Sequence, residues 1–422
     1  MLRGAATSLP LAQTGPDPAV AGLKRALRRS RRREQWRAAA LVLPLLLFVA
    51  LCFVVPIAMM LSHAIVDPDI ARILPNVTAA LRTWDGRDLP PEPVYAALAN
   101  DIRAARESGT LASAATRLNY DVAGFRTLLF ATGRRLPSEV TGPVRDALVA
   151  IDAKWGERET WAALRRAGGP VTDFYLLAAL DLRRDAEGSI TGVRADERVF
   201  RNVLGRTLWI SAVVTLVCLV LGYPVAYVIA AQPPGRASVL LFLVLLPFWT
   251  SLLVRTVAWV VLLQKEGVLN NLLLSLGLVQ EPLRMIFNRF AVYVAMVHVL
   301  LPFMVLPLYS VMRGIPSGYV RAAVSLGAAP FTAFRRVYLP MTLAGVGAGC
   351  LMVFIQALGY YITPALVGGG DDQMISYFIA FYASKTVNWG MAAALSIMLL
   401  TTTLILYAVY NRLAGVDRLR LG

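Results

Sequence analysis

Residues 321–340 read Arg321-Ala322-Ala323-Val324-Ser325-Leu326-Gly327-Ala328-Ala329-Pro330-Phe331-Thr332-Ala333-Phe334-Arg335-Arg336-Val337-Tyr338-Leu339-Pro340. The small residues over 321–329 predict a short helix with a thin face, which lets another protein's backbone lie close. Gly327 allows a turn that a Cβ would obstruct, and Pro330 is placed to open a second helix. Phe331, Phe334, Tyr338 and Leu339 would give that helix an apolar side, with Arg335 and Arg336 facing water. A helix–turn–helix of this kind suits docking into a partner's groove.

The loop is bounded by apolar blocks too long for the core of a soluble domain. Six blocks, at 40–62, 203–231, 239–262, 290–312, 341–363 and 389–411, each reach the roughly 20 residues a helix needs to cross a bilayer. The composition agrees: 57% of the 422 residues are hydrophobic and only 16% charged, which excludes an ordinary soluble enzyme. Pro44 and Pro56 in the first block and Pro224 in the second are tolerable in a bundle whose neighbours satisfy the freed backbone groups. No small-residue cleavage site follows the first block, so it reads as an uncleaved anchor.

Charge sets the orientation. With the N-terminus inside, the parts at 1–39, 232–238, 313–340 and 411–422 hold 17 Lys/Arg against three acids. The short opposite loops, 263–288 and 364–388, hold three Lys/Arg against four acids. The positive-inside rule then puts both termini in the cytoplasm, with 1–39 and 412–422 as tails and 313–340 as a cytoplasmic loop. The formal net charge of +16 is therefore a topology signal. No folded basic module surrounds the run at 28–33, which argues against a nucleic-acid partner.

Between the first two blocks, residues 67–200 carry 18 Lys/Arg and 19 Asp/Glu. A stretch of this size translocates largely regardless of its charge. Val94, Leu98 and Ile102, and then Leu148, Ile151, Trp155 and Leu164, recur at near-helical spacing. Pro90-Pro91, Gly168-Gly169-Pro170 and Glu187-Gly188 punctuate it. It is expected to form a small, mainly helical domain outside the membrane, without disulfides and without a catalytic set. Cys52, Cys218 and Cys350 all lie in apolar blocks, and two histidines, His63 and His298, are too few and too isolated for a metal site.

The 321–340 stretch resembles the EAA loop of the permease subunits of binding-protein-dependent ABC importers. That pattern runs Glu-Ala-Ala, three residues, Gly, nine residues, a β-branched aliphatic, one residue, then Leu-Pro. Ala322, Ala323, Gly327, Val337, Leu339 and Pro340 fall in register, whereas Arg321 reverses the charge of the usual Glu. The runs Leu246-Pro247-Phe248-Trp249-Thr250-Ser251-Leu252-Leu253-Val254-Arg255-Thr256 and Leu358-Gly359-Tyr360-Tyr361-Ile362-Thr363-Pro364-Ala365-Leu366-Val367-Gly368-Gly369 look like segments of spermidine/putrescine-type permeases. The resemblance covers 200–422 and the first block, not 67–200.

It implies an all-α integral membrane protein of the type I ABC importer permease fold, with six transmembrane helices and a helical periplasmic insertion between the first two. It also implies a bacterial inner-membrane location, a second permease subunit, an ATP-binding cassette ATPase dimer below and a periplasmic solute-binding protein above. Arg321, Ala322, Ala323, Gly327, Leu339 and Pro340 would couple to the ATPase. The solute would be a polyamine or a related amine, opine or amino-acid derivative, moved by alternating access. No G-x-x-x-x-G-K-[ST] loop occurs in the sequence, so ATP hydrolysis is assigned to a separate chain, and no cofactor is expected.

For a polycation, aromatic faces and carboxylates are the natural partners. None of the six blocks contains an Asp or Glu. The expected path residues are therefore Trp249, Trp259, Tyr360 and Tyr361, together with Arg255, the charge well inside the third block. Arg255 admits two readings, a partner in another subunit or a side chain that snorkels to the outer surface. The rival function, a gradient-driven secondary transporter, would place ionisable groups at midplane and would leave the 321–340 loop without a purpose.

Overall fold

The computed structural model describes residues 36–414, apart from 38, 138, 140, 141, 186 and 187. The tails expected at 1–39 and 412–422 fall almost wholly outside this range. The chain divides into two units, Met1–Met60 and Leu61–Gly422. The first unit holds most of helix α1 (Ala39–Ser62). Its turn Ala50–Val54 is widened so that the Val55 amide donates to the Ala50 carbonyl. That widening sits directly before Pro56, whose ring cannot follow a regular helical ladder.

The second unit begins with the insertion. Its helices are α2 (Asp69–Ile73), α3 (Pro75–Arg82), α4 (Glu92–Glu107), α5 (Leu111–Asp121), α6 (Phe125–Arg135), α7 (Val144–Ile151), α8 (Arg158–Ala167) and α9 (Phe174–Ala179). An antiparallel hairpin, β1 (Leu182–Arg184) with β2 (Ile190–Gly192), follows; the sequence reading had no strand there. Val94, Leu98 and Ile102 do line the buried face of one helix. Leu148, Trp155 and Leu164 also reach the core, but from three separate elements. The chain goes extended at Asp152, which ends α7, and Trp155 sits in a short 3-10 turn ahead of α8.

Trp155 is fully buried among Phe125 and Trp161, and its indole donates to Thr132 Oγ1 at 2.9 Å. Its carbonyl accepts from Tyr95 Oη at 3.1 Å and from Trp161 Nε1 at 2.9 Å. The Tyr95 hydroxyl and both indole N–H groups therefore each have an acceptor, as burial demands.

The base of the lobe is closed. Val66 and Val171 form an antiparallel bridge, with Asp67 N donating to Pro170 O and Thr172 N to Ile65 O. Beside it the buried Arg117 guanidinium pairs with Asp67 and, at 3.2 Å, with Asp121, and lies over the Phe174 and Tyr175 rings. Burial pushes the Asp121 carboxyl up, and Arg117 opposes that shift. Tyr175 also donates to Asp67. Asp181, in the left-handed region at φ 54°, accepts from the Val199, Phe200 and Arg201 amides at 2.8–3.1 Å. The end of the insertion thus caps the next helix, where amides are unsatisfied and the dipole favours an anion.

That helix is α10 (Phe200–Ala230), followed by α11 (Pro234–Leu245), α12 (Leu252–Leu263), α13 (Val268–Ser275), α14 (Arg289–Gly314), α15 (Ser317–Ser325), α16 (Pro330–Leu358), α17 (Ile362–Val367), α18 (Ile375–Ser384) and α19 (Trp389–Ala414). Among the described residues, α1, α10, α14, α16 and α19 are continuous helices long and apolar enough to span. The third block is not a single helix over 239–262. Its arms, Pro234–Trp249 and Leu252–Ser275, meet at 90°. Pro247 lacks an amide, Thr250 and Ser251 turn extended, and Thr250 gives both its amide and its hydroxyl to the Pro247 carbonyl. These bonds replace the helical ladder locally.

The centre of the bundle is α10, α14 and α16, with Met304 buried where Gly222 and Gly349 let the helices approach. A third cluster joins insertion to bundle: Ala64, Tyr175 and Ala179 pack with Val203, Ile375, Met391 and Leu395. There Gly390 opens α19. A Cβ on it would stand 2.3–2.6 Å from Tyr175 ring atoms, so only glycine admits that ring.

Candidate functional site

At one end of the bundle, Arg313 Nη1 donates to Ala230 O at 3.1 Å and to Gln232 O at 2.9 Å, tying the ends of α14 and α10. Ile315 then leaves the helical region and α15 begins after Pro316. It ends in a Schellman pattern: Ala328 N donates to Ala323 O at 3.1 Å and Gly327 N to Val324 O at 2.9 Å, with Gly327 at φ 88°. Ala329 is extended, and Pro330 opens α16. The glycine turn and the proline start expected from the sequence are present, and the helix expected over 321–329 lies earlier, at Ser317–Ser325.

One detail differs. Phe334, Tyr338 and Leu339 are half-buried, and Arg335 and Arg336 are exposed, as expected; Phe331 is 72% exposed instead. Residues 334–338 form a widened turn that rotates the following residues away from a 3.6-residue register. Leu326 is also exposed, at 89%, as are Tyr319 and Val324. Among the coupling residues named from sequence, Arg321, Ala322, Gly327 and Pro340 are exposed and Ala323 and Leu339 half-buried. Arg321 Nη2 donates to Ser317 Oγ at 3.0 Å.

Behind this surface is an aromatic clasp that the sequence reading did not find. Phe334 stands edge-on to Tyr223 and Tyr227 at 6.3 and 5.9 Å, and Tyr338 packs on Tyr227 at 5.4 Å. Tyr223 Oη lies 3.1 Å from Thr342 Oγ1. The spacing of Tyr223 and Tyr227, one turn apart in α10, was the available signal. A cleft of about 400 Å³ opens beside it, lined by Tyr227, Met312, Val320, Arg321, Phe334 and Tyr338.

The expected path residues do not form one group. Trp249 is 81% exposed at the break in the third block, and Tyr361 is exposed just before α17. Trp259 Nε1 donates to His298 Nδ1 at 3.1 Å, which joins α12 to α14. Arg255 lies 5.9 Å from the Phe248 ring and within electrostatic reach of His298 and Tyr360. The structure thus pairs Trp259 with His298, a residue assigned no role in the sequence reading, and leaves Arg255 within electrostatic reach of His298 and Tyr360.

The family described as "Binding-protein-dependent transport system inner membrane component" matches residues 188–415. The spermidine/putrescine transport system permease protein PotB of Haemophilus influenzae is 37% identical over 214 residues, covering 51% of this chain and 75% of that permease. PotB of Escherichia coli is also 37% identical, over 51% of this chain and 78% of its own. The inner membrane ABC transporter permease protein YdcU of Escherichia coli is 32% identical, over 52% and 73%. A solved bacterial alginate ABC transporter, in complex with its alginate pentasaccharide-bound periplasmic protein, aligns at 17% identity with a TM-score of 0.44, over 51% of this chain and 78% of that one. Helical architecture, the loop at 321–340 and the match over more than half the sequence agree, and the chain belongs to the binding-protein-dependent inner membrane components, the PotB-type permease subunits of ABC importers.

Proposed function

We propose that this permease imports a small organic cation of the polyamine class, driven by a separate ATPase dimer that docks on the 319–331 surface. A second permease completes the path and a periplasmic solute-binding protein delivers the solute. Both termini and the 313–340 loop lie in the cytoplasm, and the 67–200 lobe lies outside. The observation that carries the docking part is the exposure of Tyr319, Val324, Leu326 and Phe331 on the two sides of the Gly327 turn. The names of the PotB relatives support the solute class. Arg321, Ala322, Ala323, Gly327, Leu339 and Pro340 form and frame the docking element. Trp249, Trp259, Tyr360 and Tyr361, with Arg255, belong to the wall that faces the second permease and the path.

The clasp gives the coupling a physical route, because Phe334 and Tyr338 link the docking element to α10. Motion imposed on α15 would be carried to two spans at once, which is the differential contact that coupling requires. Phe334→Ala should leave ATPase binding intact and reduce uptake per ATP hydrolysed by roughly two- to thirtyfold. Tyr227→Phe, which keeps the ring, should stay near wild type. The reading as a whole is tested by purifying the tagged chain gently from native membranes and identifying its companions by mass spectrometry. A second permease and an ATPase are expected. Recovery of the chain alone, with ATP analogue present, would favour a gradient-driven carrier.

A further inference from the structure

Arg255 lies in the first turn of α12, just past the right-angled break in the third block. Its helix is held from two sides: Thr256 Oγ1 lies 3.2 Å from Thr363 Oγ1, and Trp259 is bonded to His298. The guanidinium Nε and Nη1 are buried and have no hydrogen-bond partner among the described residues. These two nitrogens are enclosed by this chain while the residue as a whole is half-buried, so at least part of the head group is turned away from open solvent. The stacking on Phe248 offsets part of the charge but accepts no hydrogen bond in the plane of the guanidinium. The positive end of the α12 dipole makes the position worse for a cation.

An unmet charge at membrane depth needs an anion, and the six apolar blocks of this chain contain no Asp or Glu. A carboxylate inside the span would therefore come from another molecule. A cationic solute of the kind proposed above would be repelled by this group. The residues around it on α12, Leu253, Val254 and Val257, are large, apolar and exposed, which suits a packed protein neighbour better than a wetted path.

We propose that Arg255 receives a carboxylate from an apolar segment of the second permease, forming an ion pair across the subunit interface at the break of the third span. The proposal rests on the two-permease reading above. Its planar fork would accept both carboxylate oxygens, using the two donors that this chain leaves unmet.

The test is the native complex purified in mild detergent through a tag on this chain, as wild type, Arg255→Met and Arg255→Lys. Arg255→Met should lower the recovery of the second permease at least tenfold with the tagged chain still in the membrane, and Arg255→Lys should retain most of it. Neutralising each Asp and Glu in the apolar segments of the second permease should find one position that reproduces the loss. Combining that change with Arg255→Met should then cost no more than either alone. If Arg255→Met does not accumulate, the charge swap, Arg255→Glu with that acid changed to Lys, should restore assembly; failure of both arms overturns the pair. Undiminished recovery in Arg255→Met also overturns it. So does unchanged assembly with a selective loss of uptake of carboxylated solutes, which would give the anion to the solute. Wild type that recovers no second permease at all would instead overturn the two-permease reading.

Discussion

Gly327→Trp is expected to leave the chain inserted in the membrane while abolishing uptake and the solute-stimulated part of ATP hydrolysis. Two effects act together. Gly327 holds φ 88°, and an L-residue with a Cβ pays about 1–2 kcal/mol to stay there, enough to loosen the turn that sets α15 against α16. Among the described residues, its two chain neighbours aside, nothing lies within 4 Å of the position its Cβ would take. No internal clash therefore expels the new ring, and insertion should survive. The indole instead projects from the exposed turn beside Leu326 and Phe331, where the ATPase is proposed to dock. Gly327→Asn separates the two effects, because Asn tolerates the left-handed region and is small. It should keep a measurable fraction of coupled hydrolysis in proteoliposomes. Wild-type uptake and coupled hydrolysis in the Trp variant would remove this turn from the coupling role.

Trp155→Ala should unfold the insertion while leaving the bundle in place. Truncating a fully buried tryptophan costs about 3–5 kcal/mol. Here it also removes the indole N–H that Thr132 Oγ1 accepts and the ring that Phe125 and Trp161 pack on. The region 67–200 contains no cysteine to hold it otherwise. The 18 Lys/Arg in that region supply trypsin sites, so cleavage in membrane vesicles reports its opening. A loss of this size should speed cleavage by about two to four powers of ten. Fragments from 203–411 should stay protected. A lobe as resistant as wild type would mean that Trp155 is not what holds it.

Much of the bundle was legible because the bilayer imposes a length and a polarity that hydropathy measures directly. The break in the third block was not, since it depends on where the Pro247 carbonyl finds donors. Gly327 and Pro330 were readable because each restricts the backbone by itself. Phe331 was misread because a widened turn downstream changes which residues share a side. In the lobe the helix carrying Val94, Leu98 and Ile102 was legible. Leu148, Trp155 and Leu164 were identified as core but not as members of three elements, because the breaks between them leave a near-helical spacing from 148 to 155. Trp259 and His298 are 39 residues apart, and Asp181 caps a helix 18 residues on. Such pairings are tertiary, and no local pattern announces them.

The bridge between Val66 and Val171 bears on how this gene can be edited. Partners in an antiparallel bridge stand about 5 Å apart, a gap that a hairpin turn of two to four residues spans. Residues 67–170 can therefore be excised and the cut ends sealed with such a turn, without pulling α9 from its seat on α19. The same two positions would accept a foreign domain whose termini lie side by side. In that respect the lobe is a graft, and its junction is where one importer could lend such a module to another.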